Sequence, residues 1–278
     1  MSKQRSSTLK SAVNICLNPL GEPNKVTYEL ITQSKDAAVL TVSINRPDKK
    51  NALTLAMYQA LIDALILAEK DAEIRAVVLS GTGQCFSSGN DILDFMAAAA
   101  DSDKAALPLK FLQTISTFSK PVVAAVCGDA VGIGTSMLLH CDLVFATQEA
   151  RFQLPFARLG LVPEGGTSLL LPQQLGHRLA FELLVMGNPI SGTRAAELGL
   201  INQVAESPLQ SALTAAHQLG KMAPLAVVKS KQMMKQHQQD LLQKVLVDEV
   251  DNFKKQLASD EAKEAFTAFI EKRPPVFN

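Results

Sequence analysis

The chain has 278 residues, with 27 basic and 27 acidic side chains and a formal net charge of zero. Hydrophobic residues make up 47% and charged residues 19%, which supports one large globular core and excludes a disordered chain. Neutrality, no Trp and only two Tyr exclude a protein built chiefly to hold nucleic acid or an anionic membrane.

Residues 1–24 are polar, carry Pro19, Gly21 and Pro23, and read as a weakly ordered lead-in without the apolar core of a secretory leader. VTYELI (26–31) and AAVLTVSI (37–44) then predict two adjacent strands. NRPDKKNAL is a loop, and Thr54 caps a helix running to about Asp71. RAVVLS (75–80) leads through GTGQ into CFSSGNDI (85–92), and a helical stretch follows from about Asp101 to Phe118. PVVAAV (121–126) leads through GDAVGIG (128–134) into the helical TSMLLH. CDLVFAT and ARFQL are two short strands expected to pair. The loop PFARLGLVPEGGT precedes a helix in HRLAFELLVMG.

From Ser207 the pattern is almost wholly helical, with Pro224 suited to the first turn of a new helix. This order predicts an α/β core over 25–221 and a helical region over 222–278. The apolar content of PLAVVKSKQMM and EAFTAFI predicts a covered face there, hence self-association. No apolar stretch reaches the length of a membrane span.

Two units share one design: a β-branched apolar run, a glycine turn, then a helix start. Helix starts leave amides without intrahelical acceptors, and those amides favour negative charge. Two such turns facing each other would hold a single carbonyl oxygen as it becomes an oxyanion, which points to acyl or thioester chemistry. Neither glycine run ends in the GK[ST] of a P-loop, and GIG lacks the third glycine of a dinucleotide fingerprint. Cys16, Cys85, Cys127 and Cys141 have neither CxxC spacing nor a His at a metal-ligand interval, so reduced thiols and no metal site are expected.

NRPDKKNAL, CFSSGNDI, GDAVGIG, the CD at 141–142 and LGLVPEGGT occur in an order and spacing that resemble the enoyl-CoA hydratase/isomerase (crotonase) superfamily. The resemblance runs from about Val26 to the C-terminus. SSGND together with PFARLGLVPEGG is most similar to the peroxisomal-type Δ3,Δ2-enoyl-CoA isomerases. It implies a superhelix of ββα turns with a C-terminal all-helical region, assembled as a homotrimer or a dimer of trimers. The implied substrate is an acyl-CoA thioester, with coenzyme A part of the substrate and no separate cofactor. It further implies oxyanion donors at the backbone amides of Ser88 and of Ile133, the latter between Gly132 and Gly134. Ser87, Gly89, Asn90, Asp91 and Ile92 would line the CoA and thioester path. Arg46, Ala52 and Leu53 would meet its adenine nucleotide.

Hydratases of this superfamily use two glutamates to hold and activate water, and the matching places here are Ser136 and Phe156. A hydroxyl and a phenyl ring cannot orient a water as two carboxylates do. Glu164, in VPEGG, is the carboxylate that remains. From the residues alone, the plainer reading is a carboxylate interacting with the helix start near Thr167. The resemblance implies instead a base that moves a proton between C2 and C4 of a 3-enoyl-CoA, with a pKa raised by apolar neighbours. Weak hydration, another reaction of the superfamily, or a non-catalytic acyl-CoA- or protein-binding module stand as alternatives.

Asp94 is expected to face solvent, Asp129 to bond local backbone in a turn, and His140 to be packed rather than catalytic. Met233 and Met234 are expected to pack between C-terminal helices, and the lysines from Lys229 to Lys235 to form a solvated face. PPVFN carries no SKL-type address, so a cytoplasmic location is expected.

Overall fold

The computed structural model describes residues 30–91, 93–94 and 106–277. Strands β1 (Ile31–Asp36) and β2 (Val39–Ile44) form an antiparallel hairpin. Helix α1 (Leu55–Lys70) follows, with Thr54 Oγ1 accepting from the Met57 amide at 3.3 Å, the N-cap bond that a threonine there predicts. Three turns of chain come next, each giving one strand to each of two sheets. They are β3 (Ala76–Gly81) and β4 (Cys85–Ser87), β5 (Val122–Val126) and β6 (Asp129–Val131), β7 (Leu143–Ala146) and β8 (Arg151–Gln153). Helix α2 (Leu107–Thr117) separates the first two turns, and the short α3 (Ile133–Ser136) follows β6.

Helices α4 (Thr167–Leu175) and α5 (His177–Phe181), strand β9 (Ile190–Ser191), helix α6 (Gly192–Glu197) and strand β10 (Gln203–Val204) complete the mixed part. The larger sheet has the order β1-β2-β3-β5-β7-β10, parallel from β2 onward; the smaller has the order β4-β6-β8-β9. Helices α7 (Pro208–Gly220), α8 (Pro224–Lys235), α9 (Gln239–Leu257) and α10 (Asp260–Glu271) end the chain. This is the expected ββα architecture followed by helices.

The central strands read as unbroken apolar runs because both faces of the larger sheet are covered. Val77 and Leu79 join Leu61, Ile62 and Leu65 of α1 in the main core. Ala76, Val78, Val123 and Ala125 face the other way, onto Ala212 and Ala216 of α7. Small residues on that face let the helix approach closely.

Several local expectations are corrected. The strand expected at 26–31 is seen at Ile31–Asp36, and 26–29 lie outside the described residues. As an edge strand it is exposed over most of its length, and the polar ITQSKD hides it from hydrophobic pattern. The strands read in CDLVFAT and ARFQL do not pair with each other. β7 lies between β5 and β10, and β8 between β6 and β9. Asp129 sits in β6, so GDAVGIG contains a strand as well as a turn. Asp94 does not face solvent freely: its Oδ2 accepts the Leu55 amide at 2.7 Å and helps cap α1. The helix expected from Asp101 is seen from Leu107, and 101–105 lie outside the described residues, as does the lead-in.

In the C-terminal region Met233 and Met234 are 56% and 73% exposed, so they do not pack between helices. The lysine run is not wholly solvated either. Lys231 is buried, with Nζ 2.7 Å from Asp142 Oδ2 and 2.7 Å from the Lys120 carbonyl.

Candidate active site

The first glycine turn leaves β4 at Ser87 and passes through Gly89, whose φ of 100° suits glycine. The loop at 46–53 lies against it as a short parallel bridge. Leu53 N–H donates to the Gly89 carbonyl and Asp91 N–H to the Leu53 carbonyl, both at 2.8 Å. In such a bridge the amide of the intervening residue, Asn90, points the opposite way. It has no acceptor among the described residues, and Asn90 lies on a cavity wall. Ser88 N–H, by contrast, donates to the Lys50 carbonyl at 3.0 Å. Ser88 therefore borders the cavity with its amide already engaged, and the free amide of this turn belongs to Asn90.

Other residues of the two segments tie them together. Arg46 Nη1 donates to Asp91 Oδ2 at 2.7 Å and to the Ala52 carbonyl at 3.0 Å. Ser87 Oγ donates to the Asn51 carbonyl at 2.9 Å. The side chain of Asn90 is held from α1, where the fully buried Tyr58 donates its hydroxyl to Asn90 Oδ1 at 2.5 Å. Ile92 lies outside the described residues.

The second turn comes after β6. Gly132 has φ 54°, its N–H donates to the Gln153 carbonyl at 2.9 Å, and its carbonyl accepts from the Thr135 and Ser136 amides. Ile133 opens α3, so its amide has no intrahelical acceptor and none among the described residues. Ile133 lines the same cavity as Asn90. Gly134 sits behind it, where a Cβ would come within 2.7 Å of the Ser87 carbonyl oxygen. The missing side chain lets the two turns meet.

The carboxylate comes from the loop before α4. Gly165 and Gly166 have φ of 76° and 77°, and a Cβ on Gly165 would approach Ser136 Cβ to 2.6 Å. Ser136 thus packs against the loop, and its Oγ donates to the Gly132 carbonyl at 3.1 Å. The buried His140, in the turn before β7, donates from Nε2 to the Gly165 carbonyl at 2.9 Å; burial pushes its pKa down to about 4. The amides that open α4 are taken by Glu249 of α9, which accepts from Gly166 N–H at 2.6 Å and Ser168 N–H at 2.9 Å. The Glu164 carboxylate therefore does not cap this helix start; Glu164 meets it through its main-chain carbonyl, which accepts from Thr167 N–H at 3.4 Å and Thr167 Oγ1 at 2.7 Å.

Glu164 is instead 6% exposed, lines the cavity, and meets no hydrogen-bond donor through its carboxylate among the described residues. Burial first, and then the negative charge of Glu249, push its pKa up to about 8. Apart from Glu164, Ser88 and Asn90, the side chains lining the cavity, of about 110 Å³, are apolar. Phe156, Leu159 and Leu161 form one wall, while Phe253 and Leu257 of α9 and Phe266 of α10 form another. Helices α9 and α10 thus line their own chain's cavity with three apolar side chains, while α8 contributes none. Glu164 is the one carboxylate on the lining among the described residues.

Cys85, in the first turn, is no nucleophile: burial and then Asp129 push its thiol up to about 11. Among the described residues no cluster of three metal-ligating side chains occurs, and no helix is long and apolar enough to cross a membrane.

The family model for enoyl-CoA hydratase/isomerase matches residues 34–278. The chain belongs to this family. It is therefore an enzyme of the crotonase fold, from a family that processes acyl-CoA thioesters. It is 33% identical over 255 residues to 2,3-dehydroadipyl-CoA hydratase of Escherichia coli, covering 90% of this chain and 98% of that one. It is 32% identical over 251 residues to enoyl-CoA delta isomerase 2 of Rattus norvegicus, covering 88% of this chain and 64% of that one. Among solved structures, an enoyl-CoA hydratase/isomerase from Pseudoalteromonas atlantica superposes with a TM-score of 0.87 at 39% identity, over 90% of this chain and all of that one. Pseudomonas aeruginosa OdaA gives a TM-score of 0.82 at 46% identity, over 87% and 99%. Hydratase and isomerase names occur at nearly equal identity, so the side chains of the cavity carry the distinction.

Proposed function

We propose that this enzyme shifts a double bond of an acyl-CoA, converting a 3-enoyl-CoA into a 2-enoyl-CoA, with Glu164 as the only proton carrier. The observation that carries this reading is that one buried carboxylate and two residues with unpartnered backbone amides, Asn90 and Ile133, line the same largely apolar cavity.

The thioester oxygen sits between the amides of Asn90 and Ile133. Glu164 takes a proton from C2, and the C2–H electron pair spreads over C2 to C4 and the thioester oxygen as a dienolate. The two amides favour that negative oxygen, and losing one such donor costs about 2.7–4 kcal/mol of transition-state stabilisation. The protonated Glu164 then delivers the proton to C4, the double bond settles between C2 and C3, and the carboxylate is regenerated. One proton leaves and one returns, so the step balances with no cofactor. A carboxyl with a pKa near 8 is matched to this shuttle, since it both accepts and releases a proton near neutral pH.

Hydration asks for more. A water must be held and deprotonated on one side while a proton is supplied on the other, and the superfamily uses two carboxylates for this. Ser136 and Phe156 occupy those places, and both are buried. The test is a side-by-side spectrophotometric assay with 3-enoyl-CoA and 2-enoyl-CoA: isomerisation of the first with little hydration of the second supports the proposal. Hydration of 2-enoyl-CoA as the faster reaction sinks it.

Self-association as a homotrimer or a dimer of trimers belongs to the same proposal. The support for association is that α8 leaves three large apolar side chains uncovered, Leu225, Met233 and Met234, exposed by 84%, 56% and 73%; the threefold count is what the family resemblance implies.

A further inference from the structure

We propose that Glu249 is a positioning residue for Glu164, so that the C-terminal helix α9 sets the aim and the charge state of the base; this rests on the reading of Glu164 as the proton carrier. The buried positions of α9 are Leu242, Leu246, Glu249 and Phe253. Three are apolar, and a carboxylate in such a stripe is costly unless it is fully hydrogen-bonded. Both Glu249 oxygens are engaged: Oε2 accepts from Gly166 N–H at 2.6 Å, and Oε1 from Ser168 N–H at 2.9 Å and Ser168 Oγ at 2.5 Å. All three partners are donors, so the geometry suits the ionised form.

The position of those bonds gives them their consequence. Gly165 C=O and Gly166 N–H belong to one peptide unit, the second after Glu164; the first is held by the Glu164 carbonyl, which accepts from Thr167 N–H at 3.4 Å and Thr167 Oγ1 at 2.7 Å. Two successive glycines at positive φ would let that peptide rotate at little cost. His140 holds its oxygen and Glu249 holds its nitrogen. With both polar atoms fixed, the peptide cannot flip, and the Glu164 side chain keeps its aim into the cavity.

Charge acts in the same direction. The groups facing Glu164 are Tyr58 from α1 and Glu249 from α9. His140, which holds the loop from the other side, is uncharged at neutral pH. Burial pushes the Glu249 carboxyl up while its hydrogen bonds from Ser168 and Gly166 oppose this. As the charged neighbour it disfavours a second negative charge on Glu164. One and two turns further along the same helix, Phe253 and Leu257 line the acyl cavity. The helix that forms the acyl wall therefore also holds the base.

The experiment uses the full chain as wild type, E164Q, E249Q and E249D, with carbon-13 in the glutamate carboxyls. The resonance absent from E164Q identifies Glu164, and its titration is followed by NMR beside kcat and KM for 3-enoyl-CoA. In E249Q the Glu164 midpoint moves to lower pH by about one pH unit. There kcat falls about 10–100-fold while KM stays within about twofold. E249D keeps the charge but shortens the reach, so kcat falls with the midpoint near that of wild type. An E249Q protein that folds with unchanged midpoint and kcat overturns the proposal; if E249Q fails to fold, an unchanged kcat in E249D overturns it. A wild-type protein that does not isomerise 3-enoyl-CoA defeats the isomerase reading instead, and the midpoint shift then still judges Glu249.

Discussion

Glu164→Gln tests the site through stability before any substrate is added. In the folded protein the Glu164 pKa is pushed up to about 8, from the ordinary 4.5 that it regains on unfolding. Between those values the native state binds the extra proton, so wild-type stability declines as pH rises through that interval. The contribution is fully present below about 4.5 and gone above about 8. Each pH unit inside the window is worth at most about 1.4 kcal/mol, which gives a decline of about 4–5 kcal/mol from this group. Glutamine cannot ionise, and the variant lacks that slope. A buried amide brings its own cost at every pH, so the comparison is between slopes rather than absolute values. Urea unfolding at pH 5, 6, 7, 8 and 9 measures both curves. E164Q should gain on wild type steadily up to about pH 8 and then run parallel. Curves parallel over the whole range would show that Glu164 titrates normally and that its burial has been misjudged.

Ile133→Pro deletes one proposed oxyanion donor at a first-turn helix position, where the lost N–H has no intrahelical partner. Turnover of 3-enoyl-CoA should fall about 10²–10³-fold, with the circular dichroism spectrum unchanged; wild-type turnover would remove Ile133 from the site. Tyr58→Phe removes the hydroxyl that holds Asn90 Oδ1 and leaves a buried acceptor without its partner. It should lower stability by about 1–3 kcal/mol and kcat measurably, and full retention of both would show that the Asn90 side chain needs no support. Light scattering at micromolar concentration should find a trimer or a multiple of it. A stable monomer would leave the exposed Leu225, Met233 and Met234 of α8 unexplained.

The parts of this protein that were legible in its sequence are those set by local rules. Thr54 caps α1 because a threonine side chain reaches its own helix start, and helices α7 to α10 follow from apolar period and Pro224. Glu164 stands out only through the resemblance of VPEGG to the family's motif, since its residues alone favour a carboxylate at a helix start. What stayed hidden depends on distant partners. Apart from β8, which is legible in ARFQL, the strands of two or three residues in the smaller sheet carry too little pattern to be seen. The choice between the Ser88 and Asn90 amides turns on the bridge to Leu53, with its residues 37 positions away, and no motif length encodes it. Glu249 is an acidic residue on a long helix, which reads as solvated, and its partners lie 81 and 83 positions away. The same holds for Lys231, whose burial follows from Asp142 and the Lys120 carbonyl rather than from its lysine-rich neighbours.

The most direct test of Glu164 as the proton carrier is turnover of 3-enoyl-CoA by Glu164→Gln beside a separate measurement of its binding. Glutamine keeps the shape of the side chain and loses the ability to accept a proton. Affinity for the acyl-CoA should stay within a few-fold of wild type, while kcat falls about 10²–10⁴-fold, the range for loss of a general base. Isomerisation by the variant at the wild-type rate would contradict the assignment and place the base elsewhere in the cavity.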